Sequence, residues 1–330
     1  MDLILTLAGQ NLLSPVILFF ALGVAAALAR SDLSFPEAIA KGMSLYLLFA
    51  IGFKGGASVA SHGMDPGLVL AVLGGVVLSF ALPFVAYGLL RAMAPRVSVL
   101  DAAAVAGHYG SISIVTFVAL SAMLTAQGIP AEGYMIAVAA AMEAPAIVSA
   151  LWLATRGGKS GGTGGAPGTE LWREILLNGS IVLLLGSFFI GVISGERGMA
   201  DLEPFIVTPF KGVLALFLLD MGLVAGRELR AARGVVTLRI VGFGLSMPLI
   251  GAAAGLGMGA LLGLSAGGIA ALTTLAASAS YIAVPAAMRV ALPRANPALY
   301  LSLALGITFP FNLTLGLPLY VALASAIAGG

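Results

Sequence analysis

Two short segments hold most of the residue types that could do chemistry. The first reads Gly107-His108-Tyr109-Gly110-Ser111-Ile112-Ser113, and the second reads Ala277-Ser278-Ala279-Ser280-Tyr281. Glycine is a poor helix former and serine competes for backbone hydrogen bonds, so each segment is a place for a helix to unwind. Unwinding exposes N–H groups at the positive end of a helix dipole, which suits an anion. It also exposes carbonyls beside hydroxyls, which suits a small hard cation such as sodium. All twelve residues are candidate substrate-binding positions. A single Gly/Ser cluster more simply serves close helix packing, as Gly251, Gly255 and Gly259 are expected to do. Two clusters at equivalent positions of a repeated unit point to a site instead.

Acids are scarce, and Glu143 and Asp220 lie well inside apolar stretches. Each costs about 2.5–3.5 kcal/mol at the centre of a membrane helix, so each needs a partner, an ion or a proton. Glu143, two residues before Pro145, is open to two roles: cation ligand, or hydrogen-bond anchor for interrupted backbone. With Ser111, Ser278, Ser280, Thr308 and Asn312 it forms the expected sodium-binding set. Thr308 and Asn312 flank Pro310, and their alternative role is bonding to backbone freed by that proline. For Asp220 the favoured reading is pairing with a basic residue such as Arg227, or snorkelling. His108 could relay a proton, but a hydrogen-bonded core histidine is the favoured reading; His62 falls in a solvated loop. Ser111 and His108 are the one pair suggesting an intramembrane hydrolase. No second carboxylate or oxyanion device accompanies them, which leaves an enzyme a distant alternative. A channel is a third.

The elements that must position these groups follow from composition. Of 330 residues, 60% are hydrophobic and 9% charged, too little polarity for the surface of a soluble enzyme or a nucleic-acid-binding protein. Without cysteine there are no disulfides and no thiolate metal sites. Apolar stretches place an all-α integral membrane protein with ten spans at 11–29, 36–56, 66–94, 99–126, 131–155, 172–195, 204–226, 234–262, 266–290 and 297–327. Basic residues crowd the connections after odd-numbered spans (Arg30, Arg91, Arg96, Arg156, Arg227, Arg230, Arg294), which places those connections in the cytoplasm of a plasma-membrane protein and both termini outside. No Lys or Arg precedes Arg30, so the first span is read as retained and not as a cleaved signal.

Shifted by 170 residues, the sequence matches itself: Lys41-Gly42 falls on Lys211-Gly212, Gly52 on Gly222, Gly56 on Gly226 and Ile112 on Ile282. Residues 1–156 and 171–330 are therefore two five-helix units. Because five is odd, the second enters the membrane from the opposite side, giving a 5+5 inverted repeat with discontinuous fourth and ninth spans. Residues 157–170 form a Gly-rich cytoplasmic linker between them. Gly158-Lys159-Ser160 imitates the end of a phosphate-binding loop, but Leu153 stands where that motif requires glycine.

The segments SPVILFFALG (14–23), FPEAIAKGMSLYLLFAIGFKGG (35–56), LDAAAVAGHYGSIS (100–113), MEAPA (142–146), AASASYIAVPAAMR (276–289) and PRANPALY (293–300) together resemble the sodium-dependent bicarbonate permeases known from cyanobacteria, the SbtA-type family. The resemblance covers nearly the whole chain. It implies sodium-coupled import of bicarbonate by alternating access, with sodium as the coupling ion and no covalent cofactor. It implies a homotrimer in the bilayer, spans 1, 2, 6 and 7 as a gate or scaffold domain, the others as a moving core, and control by a PII-like cytoplasmic protein. Tyr281 stands where those permeases carry an acid, Ala283 where they carry a hydroxyl, and the linker is shorter. A tyrosine hydroxyl can bind a carboxylate, which makes another small anion, such as a monocarboxylate, the alternative substrate.

Overall fold

The computed structural model describes residues 12–62, 67–156, 179–231 and 236–329. Among the described residues the chain is all-helical and contains no strand. The helices are α1 Pro15–Leu28, α2 Glu37–His62, α3 Gly67–Met93, α4 Val99–Gly110, α5 Ile114–Gln127, α6 Met135–Ala141, α7 Glu143–Arg156, α8 Gly179–Ile206, α9 Phe210–Ala231, α10 Leu238–Leu261, α11 Ala266–Ala277 and α12 Ala283–Ala291. The last, α13, runs Pro297–Ala328 and widens into π-turns at Ser302–Thr308 and Asn312–Gly316, either side of Pro310.

Among the described residues, seven stretches are long and apolar enough to cross a membrane, taking α4 with α5 and α6 with α7 as single stretches, while α1 and α11 are shorter apolar helices. Hydroxyl caps fix where several helices begin. Ser14, Ser98, Thr237 and Ser265 each accept a hydrogen bond from an N–H in the first turn of α1, α4, α10 and α11, respectively. One expectation about boundaries is corrected. The polar residues 196–203 do not form the loop between the sixth and seventh spans. Instead α8 kinks at Gly195 (φ 56°, ψ −147°) and stays helical to Ile206, because a helix leaving the apolar layer still satisfies its own backbone. The linker expected at 157–170, and the side chain of His62, lie outside the described residues.

The helices associate in a regular pattern. α8 lies along α2, and α9 lies along α1; α3 packs on α4 and α7, and α10 packs on α11 and α13. Small residues set the closest approaches, since packing and not water drives helices together in lipid. A Cβ on Gly56 would overlap the Phe188 carbonyl of α8, and one on Gly222 would overlap the Phe20 carbonyl of α1. Gly251 and Gly255 bring α10 equally close to the backbone of α11, as their spacing predicted.

These contacts make a test. Gly56→Ala and Gly222→Ala are each expected to destabilise by about 1–3 kcal/mol through overpacking against backbone. Gly42→Ala and Gly212→Ala, where nothing lies within 4 Å of the added carbon, are expected to be neutral or slightly stabilising. Thermal midpoints of the four variants in detergent check this.

Candidate functional site

The two Gly/Ser segments meet. α4 ends at Gly110, the backbone runs extended through Ser111 (φ −90°, ψ 163°) and Ser113 (φ −102°, ψ 105°), and α5 begins at Ile114. α11 ends at Ala277, Ser278 is extended (φ −85°, ψ 166°), and α12 begins at Ala283. The segments are cross-linked by Ser280 N–H donating to the His108 carbonyl at 2.8 Å and Ser113 N–H donating to Ser278 Oγ at 2.9 Å. Ser113 Oγ in turn accepts from Thr116 N–H and Thr116 Oγ1, capping α5. Ser280 Oγ accepts from Val284 N–H at 3.4 Å at the start of α12.

Around this junction lies a narrow cleft of about 20 Å³, lined by Ile112, Ser113 and Ile114 from one segment and Ser280, Tyr281 and Ala283 from the other. Glu143, Ala139 and Ala140 form a third wall, and Leu48 of α2 and Leu184 of α8 close it. The Ser111 hydroxyl donates to a Glu143 carboxylate oxygen at 2.6 Å, and Glu143 is 92% buried with no cationic partner among the described residues. One of its oxygens is engaged by the Ser111 hydroxyl and not by freed backbone, and the group faces the cleft. Tyr281 packs edge-on against Phe309. Its hydroxyl is buried without a hydrogen bond of good geometry, Ser113 being the polar group beside it.

Other predicted site residues serve the frame. Gly107 and Gly110 are buried where α4 meets neighbouring helices; a Cβ on Gly110 would strike the Pro83 ring and the Ser79 carbonyl. His108 is wholly buried. Its Nδ1 lies 2.7 Å from the Ala104 carbonyl and its ring stacks on Tyr300 at 4.6 Å, with Nε2 unpartnered. That is a core histidine, as favoured. It does not contact Ser111, whose hydroxyl is committed to Glu143. Thr308 donates to the Gly244 carbonyl at 2.7 Å, so the 2.7 Å bond between Tyr109 and Thr308 has Tyr109 as its donor. Asn312 Nδ2 donates to the Ala277 carbonyl at 2.9 Å, and its Oδ1 accepts from Tyr320 at 2.8 Å. Thr308 and Asn312 thus do not line the cleft; the π-turns around Pro310 aim them at freed backbone. Ala277 and Ala279 are buried at the junction, and Ser278 also donates to Leu275. Asp220 is buried in α9 within electrostatic reach of Arg227, without a direct ion pair among the described residues. Glu132, counted in the fifth span, instead accepts from Ser265 N–H and hydroxyl across the start of α11.

Sequence reasoning missed Leu48 and Leu184, which carry no signal beyond apolarity. It also missed Ser79, which donates to the Met142 carbonyl at 2.6 Å beside Glu143.

A bundle of apolar helices around a polar junction in its core is the build of a multi-pass membrane protein. The sequence profile described as the Na+-dependent bicarbonate transporter superfamily matches residues 15–325, and the chain belongs to that family. A search among curated proteins finds no match.

Asn312→Ala orphans the buried Ala277 carbonyl and Tyr320 hydroxyl, and is expected to cost about 1–3 kcal/mol for each group. A lowered thermal midpoint in detergent, with Thr314→Ala closer to wild type, is the measurement that checks it.

Proposed function

We propose that this chain is a secondary active transporter that imports bicarbonate together with sodium, by alternating access around the junction of Ser111–Ser113 and Ser278–Ile282. The observation that carries the reading is the composition of one cleft. The N-termini of α5 and α12 border it, and so does the Glu143 carboxylate. The first-turn N–H groups of the two helices attract an anion. An anion and Glu143 in so small a space repel each other strongly. A sodium ion between them, taking oxygens from Glu143, Ser111, Ser278 and Ser280, turns that repulsion into mutual attraction. Neither ion then occupies the cleft well without the other, which is the physical basis of coupling.

Alternating access in this proposal rests on a ten-helix inverted repeat, residues 1–156 against 171–330, in the plasma membrane with both termini outside. The packing supports it. The α2–α8 contact through Gly56 has its counterpart in the α9–α1 contact through Gly226, where a Cβ would meet Val24 and Ala27. The Glu132 link to Ser265 at the start of α11 has its counterpart in Asp101, on α4, accepting from Asn296 N–H at 2.7 Å. Under this reading the α1–α9 and α2–α8 pairs form the gate, and Leu48 and Leu184 are its contacts on the cleft. The remaining helices form the moving core.

Labelled bicarbonate uptake into proteoliposomes is expected to need an inward sodium gradient and to fall to background when choline replaces sodium. Glu143→Gln is expected to lower uptake by tenfold or more and to remove stabilisation by sodium in a thermal-shift assay. Undiminished uptake in choline would sink the coupling. The unpartnered Tyr281 hydroxyl favours a monocarboxylate as second reading. Inhibition of uptake by acetate or pyruvate, weakened in Tyr281→Phe, would establish it.

A further inference from the structure

Beyond the cleft, on the face opposite the arginine-rich connections, lies a larger open cavity of about 620 Å³ bordered by α2, α5, α6, α9 and the loop at 128–134. Lys54 stands on its wall. It sits eight residues, about 12 Å along the helix axis, before the end of α2 at His62. Its ammonium lies 4.0 Å from the centre of the Phe210 ring and has no carboxylate at ion-pair distance among the described residues. Glu132, the one acid among the described residues lining the same cavity, is already committed to Ser265. Glu196 and Glu203 are exposed across a second opening that Lys54 also borders. A cation drawn partly out of water against a ring costs free energy, which the cation–π contact offsets only in part.

The cavity is stacked on the cleft. On α2, Ile51 borders the cavity and Leu48 the cleft; on α6, Ile136 borders the cavity and Ala139 the cleft. Each pair is three residues apart, so the septum is about one helical turn thick, roughly 5 Å. We infer that Lys54 and the surrounding cavity form an antechamber that holds the transported class of small monoanion, still partly hydrated, before the septum opens. The cavity is too large to strip such an anion of its water, and Lys54 supplies charge without a rigid fork. Its work is therefore to raise the local anion concentration. This inference rests on the reading of the cleft as an anion site.

Two measurements test it. In the uptake assay, Lys54→Met is expected to raise KM for bicarbonate about fivefold to tenfold at low ionic strength with the maximal rate nearly held. The difference should shrink in high salt, and Lys54→Arg should restore KM. Lys41→Met, an exposed lysine elsewhere on α2, should behave as wild type. Independently of transport, labelling of wild-type protein with a water-soluble amine reagent, resolved by peptide mass spectrometry, should show Lys54 protected by bicarbonate or acetate with or without sodium. Unchanged KM in a fully active Lys54→Met, or no protection of Lys54 by either anion, overturns the antechamber while leaving the cleft reading intact. Protection of Lys54 in a protein that fails to transport bicarbonate keeps the antechamber and refutes the substrate. If Lys54→Met does not fold, the labelling of wild type and the Lys54→Arg kinetics decide.

Discussion

Backbone that leaves a helix inside an apolar layer must find its hydrogen bonds within the protein, because lipid offers none. That demand governs the junction at residues 111–113 and 278–282. The His108 carbonyl is satisfied by Ser280 N–H, Ser113 N–H by the Ser278 hydroxyl, and the Ala277 carbonyl by Asn312. Each segment thus supplies what the other has lost. Small residues fit the junction among its neighbours: Gly110 lets α4 lie against Pro83 and Ser79, and Gly107 lets it lie against Ala150. Asn312 in turn is held by Tyr320, and Tyr109 by Thr308, so the support extends through α13 to α10. The N-termini of α5 and α12, each with one first-turn N–H taken up by Ser113 or Ser280, border the cleft with Glu143.

Much of this was legible in the sequence because charge and periodicity are unambiguous in lipid. Charge-free stretches located the apolar helices, and the 170-residue offset picked out Gly52, Gly56, Gly222 and Gly226, all of which prove to sit at close helix contacts. The Gly/Ser segments were legible as places where helix ends, since Gly and Ser weaken a helix wherever they cluster. Glu143 stood out because a buried acid is costly enough to need a reason.

The remainder was hidden for physical causes. A π-turn adds a residue to a turn and rotates every side chain beyond it, so which way Thr308 and Asn312 point could not be read from spacing around Pro310. The polar residues Glu196, Arg197, Asp201 and Glu203 look like a loop, yet helix there costs nothing once outside the apolar layer. Leu48 and Leu184 are ordinary leucines whose place on the cleft arises only from how α2 and α8 lie against the core. Lys54 looked like the end of a span, and only the packing shows it two turns inside, against Phe210.

The pairing of α1 with α9 and α2 with α8 bears on how the chain is made. Gly56 finds its partner surface at Phe188, and Gly222 its own at Phe20. When α2 emerges from the ribosome its glycine face has nothing to meet until about 130 residues later, a delay on the order of ten seconds at ordinary rates of synthesis. The glycine faces of α1 and α2 thus wait for α9 and α8, while contacts such as those of α3 with α4 and α7 can form earlier. A truncation after residue 156 would leave those glycine faces uncovered. Closure of the α1–α9 and α2–α8 pairs is therefore a late step of biogenesis, a cost carried by any architecture whose paired helices lie far apart in sequence.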